Sequence, residues 1–369
     1  MNAERLHAIV SALIGEIEEN KTVDKLQDLI TTLQNVVNQS NPATQQALSQ
    51  SIKVLSEAIG DTPSDHFSPA WRQILREIGG EELFGNTLKT NIGSIFALNQ
   101  ITPAVALDEL KQLHKKLKSF STALVQGSEA FLHFHIGNEK LNPGECEIGV
   151  LIPRDAVENN ILGFAAELKE IGFILNTISE VSTGKKDPLS IRTISSSELL
   201  VYLKAAAPYA ACVAVCIERV VALYKQLLEI RKLRQEINKQ GVPAKETTGI
   251  ENYANQLMQN GIDQIAVDVI NEYHKKDDKA RKNELVNAVR ISLNKIANRI
   301  DHGYNIEVRV APFEEKTEGV KENSDTLRAI ASIQAAVVNM QYMKLEGKPI
   351  LRLPESEDKT KKKDEPKEK

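Results

Sequence analysis

Two histidines and two arginines come nearest, by residue type and spacing, to a binding site in this chain. His133 and His135 fall in residues 131–136, a run that alternates like a β-strand and would present both imidazoles on one face. Two imidazoles so placed can serve as metal ligands, but no third or fourth ligand follows at an ordered spacing. We therefore predict neither a metal nor a cofactor, and a partly exposed strand or helix end is the simpler interpretation.

Arg154 and Arg192 stand beside predicted strand ends, which suits a different chemistry. A guanidinium is always charged and offers a planar fork of donors that fits a phosphate or a carboxylate. Together with His133 and His135, they define an alternative hypothesis. In it the chain binds a small anionic ligand, or acts on one, where the sheet meets the helices. The more common role of such arginines is a surface ion pair.

The three cysteines are weak candidates for a nucleophile. Cys212 and Cys216 lie one turn apart among alanines and valines, and a buried thiol in an apolar setting behaves as a small hydrophobic side chain. Cys146 lies between Glu145 and Glu147, whose negative charges disfavour a thiolate. Structural packing is the expected role of all three.

Two further polar runs lack the features that catalysis requires. Residues 195–197 are serines without the glycine-rich stretch and lysine of a phosphate-binding loop, so closure of a β-hairpin is their expected role. Asp301, His302 and Gly303 place an acid beside a base, but we interpret them as the end of a helix. We recognise no catalytic motif in the sequence. This favours a protein that is not an enzyme, but it does not decide between an enzyme and a scaffold.

Charge and composition bear on partners and location. The net charge is −4 and the isoelectric point about 6.1, so no global positive field would draw the chain to nucleic acid. Three cysteines are too few for a disulfide framework, and no signal peptide is recognisable at the start. The longest apolar run, 205–217, is shorter than the roughly 20 residues of a membrane span. We predict a cytoplasmic protein without a transmembrane span.

The elements that must position these residues are mainly helices. Alternating or β-rich runs predict strands at 145–153, 189–194, 199–203 and 306–310, with an edge strand at 350–353. Aromatic residues make up only 5% of the chain, which suits helix packing. The predicted fold is mainly α with a small β-sheet (α+β). An N-terminal helical bundle is followed by long amphipathic helices packed on a small mixed or antiparallel sheet.

Breaks in the pattern predict the domain organisation. Residues 60–65 combine turn formers without an apolar residue, and the helical texture changes after Gly127. The predicted parts are a helical bundle over 1–60, a helical region over 61–130, an α+β domain over 131–354, and a disordered charged tail over 355–369.

One helical pattern, predicted as a continuous helix over 208–239, suggests the main functional hypothesis. Apolar residues recur every three or four positions and form one face of that helix. A helix this long buries only part of its face on a small sheet, and the remainder seeks another helix, as in a coiled coil. We expect a soluble helical scaffold or interaction protein whose partner is a second copy or another protein. The predicted interaction face consists of Val220, Leu223, Leu227, Ile230, Leu233 and Ile237.

Three short runs also carry a family resemblance. Residues 147–154 (EIGVLIPR), 191–197 (IRTISSS) and 229–233 (EIRKL) together resemble a set found in uncharacterised bacterial proteins. The resemblance covers roughly residues 100–310. It implies a bacterial cytoplasmic protein of similar length and brings no catalytic residues.

Overall fold

The computed structural model describes residues 3–186, 188–195, 199–241, 248–274, 279–311, 324–340, 343, 345 and 347–356. Over the described residues, the protein is 73% helical, with twelve α-helices and a small antiparallel sheet of four strands. The predicted fold class, mainly α with a small sheet, is confirmed. The chain forms two compact units, residues 1–140 and 141–369.

Helices are the only regular secondary structure of unit 1 over its described residues. Short 3₁₀ segments at Pro63–His66 and Glu81–Leu83 join its later helices. The α-helices are α1 (Ala3–Asn20), α2 (Thr22–Asn38), α3 (Pro42–Ala58), α4 (Pro69–Glu77), α5 (Gly85–Leu98) and α6 (Pro103–His133). A capping box opens α3, and Pro42 is its first residue. Asn41 Oδ1 accepts from the Thr44 N–H at 3.0 Å, and Thr44 Oγ1 accepts from the Asn41 N–H at 3.0 Å.

The core of unit 1 differs from the predicted division at residue 60. One hydrophobic cluster runs from Ala8 in α1 to Leu124 in α6, and both α1 and α2 pack against α6. The first three helices therefore do not close a bundle of their own. Leu55 is the one buried residue of α3, so this helix contributes too little apolar surface for a separate core.

Unit 2 combines the sheet with six helices among its described residues. A 3₁₀ segment, Arg154–Val157, follows the first strand. The strands are β1 (Cys146–Ile152), β2 (Ile191–Ser195), β3 (Leu199–Ala205) and β4 (Asn305–Val310), in the order β2-β3-β1-β4. The helices are α7 (Ile161–Thr183), α8 (Ala207–Lys225), α9 (Leu228–Lys239), α10 (Thr248–Tyr273), α11 (Lys279–Asp301) and α12 (Ser324–Asn339).

Alternation along β1 gives the sheet two different faces. Cys146, Ile148, Val150 and Ile152 enter the hydrophobic core with α8, the most deeply buried helix. Glu147 and Gly149 lie on the opposite, polar face. Gly149 stands between Tyr202 of β3 and Glu307 of β4, and the Tyr202 hydroxyl donates to Glu307 Oε1 at 3.2 Å.

By length and composition alone, helix α8 is also long and apolar enough to cross a membrane. It is the one such helix among the described residues, and 67% of its most apolar 18-residue stretch is buried inside the protein. That burial is typical of a central core helix.

The predicted continuous helix over 208–239 is wrong, because it is interrupted at Gln226 and Leu227. The N–H of Gln226 donates to the Leu223 carbonyl at 3.2 Å and that of Leu227 to the Tyr224 carbonyl at 2.8 Å. These three-residue bonds tighten the chain between α8 and α9. No glycine or proline marks the position, so the break follows from tertiary contacts.

Two of the predicted strands are also absent. Residues 131–133 are the last turn of α6, and 350–353 are extended without pairing to the sheet. Of the serine run predicted to close the hairpin, residues 196 and 197 lie outside the described residues. The predicted tail over 355–369 lies outside them from residue 357 onward.

Gly149→Ala should lower the free energy of unfolding by about 1–3 kcal/mol. A Cβ atom at this position would lie 2.7 Å from Tyr202 Cε1 and 3.0 Å from Glu307 Cγ, so both side chains must move. Urea unfolding followed by circular dichroism measures the change. Gly172→Ala in α7 is the matched control, because its Cβ meets only Leu189 at 3.8 Å. Equal stability of the two variants would contradict the packing described.

Candidate functional site

The structure places the two predicted histidines on a helix end. His133 is the last residue of α6, and His135 follows it in the turn with a positive φ of 56°. Both side chains are exposed, and the ring of His133 packs against Phe134 at 5.6 Å between centroids. Because no strand forms over 131–136, the spacing of two no longer puts them on one face. Among the described residues, no group of three or more His, Cys, Asp or Glu side chains is placed to hold a metal ion.

The two predicted arginines belong to unit 2 and lie at opposite ends of the sheet. Arg154 follows the C-terminal end of β1, and its Nη1 donates to Asn159 Oδ1 at 2.9 Å. Arg192 lies in β2 near the N-terminal end of β1, 3.4 Å from a Glu145 oxygen and 3.6 Å from a Glu147 oxygen. The structure thus does not bring the arginines together, and the charge of Arg192 is already matched by carboxylates.

The predicted interaction face is divided between the core and the surface. Val220 and Leu227 are fully buried, and Leu223 packs onto Gly261 of α10. Leu223 and Ile230 are partly buried against the same core, and contact with the core ends in the second half of α9. Its members are Leu233, which is 52% exposed, and Ile237, which is partly exposed and outside the hydrophobic core.

A buried carboxylate, Asp301 at the end of α11, joins four segments of unit 2. Its Oδ1 accepts from Arg231 Nη1 of α9 at 2.6 Å and from the Tyr224 hydroxyl of α8 at 2.5 Å. Its Oδ2 accepts from the backbone N–H groups of Ile350 and Leu351 at 2.6 and 2.7 Å. Burial, reinforced by the Asp301 charge, raises the pKa of Tyr224, so the phenol stays protonated and remains a donor.

Residues 350–355 form an extended segment, the strap, whose backbone is bound by side chains. The Arg352 N–H donates to Asn255 Oδ1 of α10 at 2.6 Å. The Leu353 N–H donates to Asn298 Oδ1 of α11 at 3.0 Å, and Asn298 Nδ2 returns a hydrogen bond to the Leu353 carbonyl at 3.0 Å. One turn earlier on α11, Asn294 Nδ2 donates to the Pro354 carbonyl at 2.9 Å. We call Asn255, Asn294, Asn298 and Asp301 the strap-binding groove.

The last residue of the strap meets a basic cluster on α11. Glu355 accepts from Asn298 Nδ2 at 2.7 Å and lies 3.6 Å from Lys295 Nζ and 3.7 Å from Arg299 Nη1. The two cations also pair with α7, Lys295 with Glu170 and Arg299 with Glu167. The hydrogen bond from Lys295 lowers the pKa of Glu170. The cluster therefore binds one acidic side chain of the strap in addition to its partners within the helical layer.

Sequence reasoning missed this groove, although a signal was present. Asn294, Asn298 and Asp301 are four and three positions apart, which puts them on one face of α11. Short polar side chains that follow one face of a helix in register with its buried apolar residues indicate a buried polar partner. The partner itself is far away in sequence and could not be identified.

The comparisons with known proteins add no relative. No family model, no curated protein and no solved structure matches this chain. The resemblance to uncharacterised bacterial proteins stays a prediction.

Asp301→Asn should destabilise the protein by about 3–5 kcal/mol, because it leaves Arg231 as a buried cation without its carboxylate. The free energy of unfolding in urea is the quantity to compare. Asp268→Asn on α10 is the matched control. Asp268 is exposed, and among the described residues its side chain accepts from Gln264 alone, so a change within about 0.5 kcal/mol is expected. A similar small effect at Asp301 would show that the ion pair is not structural.

The thiols of the native protein should not react with Ellman's reagent at pH 8. All three are buried, and burial raises the pKa of Cys146 to about 12 and that of Cys212 well above its usual range. In guanidinium chloride three thiols per chain should react within seconds. Rapid labelling of one thiol in the native protein would instead identify an accessible, activated cysteine.

Proposed function

We propose that this chain is a soluble, cytoplasmic interaction protein that self-associates through the exposed side of α9. The observation that supports it is the exposure of Leu233, together with Ile237, on a helix whose first turn is fixed. Scattered single apolar residues are normal on a surface. Two of them one turn apart on an anchored helix form a small, rigid apolar stripe.

The anchoring of α9 makes this stripe a defined surface. Leu227 is buried just before the helix, and Arg231 is held by Asp301 and by the Gly347 carbonyl at 2.6 Å. Arg234 pairs with Glu251 of α10. These contacts lie on one side of α9, so Leu233 and Ile237 point away from the core. A surface already ordered loses little conformational entropy when it binds.

The charges beside the stripe favour a second copy of this chain as the partner. Glu229, Lys232, Glu236 and Lys239 are exposed, lie on one flank of the stripe, and make no ion pair with a described residue. Position 234 is the midpoint in sequence of two pairs of opposite charge, Glu229 with Lys239 and Lys232 with Glu236. When two copies of α9 pair in antiparallel fashion about a two-fold axis, every acid meets a base.

The expected association is weak. A helix of 12 residues is about 18 Å long, and a pair of them buries less than the roughly 1,200 Å² of a standard stable interface. The self-association should therefore depend on concentration, with monomer prevailing in dilute solution.

The double substitution Leu233→Asp with Ile237→Asp should leave the fold intact and shift the protein to monomer. Sedimentation velocity over a range of concentrations measures the association, and thermal unfolding verifies the fold. Leu98→Asp in unit 1 is the matched control, because Leu98 is 81% exposed but lies on α5. Leu227→Asp cannot serve here, since Leu227 is fully buried and a charge there should unfold the protein.

Charge substitutions test the antiparallel pairing itself. Glu229→Lys places like charges opposite each other and should weaken association, whereas Glu229→Lys combined with Lys239→Glu should restore it. A protein that remains monomeric at the highest concentration, or whose association ignores all of these changes, would refute self-association through α9.

A further inference from the structure

We infer that the strap-binding groove of α10 and α11 is a binding site for an extended peptide of another protein, which the chain's own strap covers in cis. The inference goes beyond self-association through α9 and concerns a different surface.

The first argument is the way in which the strap is held. Helix surfaces have no free backbone groups for an extended segment, so its N–H and C=O groups must find side chains. Asparagine suits this purpose because its amide carries an acceptor and a donor side by side. Asn298 uses both on a single residue, Leu353, while Asp301 and Asn255 accept the N–H groups of residues 350–352. Contacts to the backbone do not require one particular sequence, so the groove suits any extended segment of matching shape.

The second argument is an acceptor that the strap does not satisfy. Asn294 is 1% exposed and donates through Nδ2 to the Pro354 carbonyl, yet its Oδ1 accepts no hydrogen bond from the described residues. Proline has no N–H group, so residue 354 of the strap cannot supply one. A segment with any other residue at this place has the donor that a buried acceptor requires. The groove is therefore better matched to a peptide other than the strap.

Burial along the strap defines the chemistry of that peptide. Ile350, Leu351 and Leu353 are buried, whereas Arg352 is exposed. Glu355 meets Lys295 and Arg299. The ligand should carry two adjacent aliphatic residues, a variable residue, a third aliphatic residue, a residue other than proline, and then an acidic one.

The strap competes with such a ligand. Because it is tethered to the same chain, its effective concentration at the groove is on the order of millimolar. The experiment therefore uses the full chain with Leu353→Ala and Glu355→Ala, which weaken the strap and leave the groove unchanged. Its fold is verified by circular dichroism.

The probes are fluorescein-labelled synthetic peptides with the sequence of residues 347–356, and fluorescence anisotropy measures their binding. The weakened chain should bind the native peptide. It should bind the Pro354→Ala peptide about fivefold more tightly than the same peptide methylated on the nitrogen of residue 354, because methylation removes only the donor for Asn294. Adding Asn298→Ala to the weakened chain should reduce affinity at least tenfold, since the backbone groups of residue 353 lose their partner. A Glu355→Lys peptide should also bind more weakly, because it opposes Lys295 and Arg299.

If the weakened chain does not fold, the wild-type chain can still show whether a peptide displaces the strap from the groove. Millimolar Pro354→Ala peptide should then accelerate amide hydrogen exchange of residues 350–353, read by mass spectrometry, because the strap is displaced. Absence of both binding and displacement would overturn the inference. Equal affinity of the Pro354→Ala peptide and its methylated counterpart would also overturn it. If the native peptide binds as tightly as the Pro354→Ala peptide, the ligand is instead the strap of another copy of this chain. Peptide binding that persists when Leu233→Asp and Ile237→Asp are added to the weakened chain would separate this site from self-association.

Discussion

The buried ion pair between Arg231 and Asp301 is the interaction on which the arrangement of unit 2 depends. Asp301 ends α11, where a negative charge is unfavourable because the helix dipole already places partial negative charge there. Four donors compensate: Arg231, the Tyr224 hydroxyl, and the N–H groups of Ile350 and Leu351. These donors come from α9, α8 and the strap. A single carboxylate thus fixes where α9 points and where the strap lies. Removing any partner leaves the others buried and only partly satisfied.

Local patterns predicted most of the framework because local physics determines it. Alternation predicted β1 and β4. The errors arose where distant contacts decide. The break at Gln226 and Leu227 has no glycine or proline, and Arg231, one turn beyond it, contacts Asp301, 70 residues later. The run at 131–136 alternates by chance over six residues, a window too short to distinguish a strand from the last turn of a helix.

The candidate sites were harder to predict than the fold, because their partners come together only in three dimensions. Arg192 was identified as a possible anion ligand, but strand pairing brings Glu145 and Glu147 to it, and no local pattern gives that register. The apolar face of 208–239 was identified as one surface. The break after α8 leaves Val220 and Leu227 in the core and only the end of α9 outside. The groove on α11 was visible as a polar stripe, and its occupant lies more than 50 residues away.

The two proposed surfaces share the same ion pair, and this has a thermodynamic consequence. Arg231 anchors α9 and also donates to the carbonyl of Gly347, three residues before the strap begins. If a peptide displaces the strap but supplies its own N–H groups to Asp301, the carboxylate stays satisfied and α9 keeps its position. If the strap leaves without replacement, Asp301 loses two of its donors and Arg231 loses the Gly347 carbonyl. The anchor of α9 is then weakened. Occupancy of the groove and order of the α9 surface are therefore coupled, and the coupling must act equally in both directions. On these two proposals, association through α9 would favour a filled groove, and a filled groove would favour association.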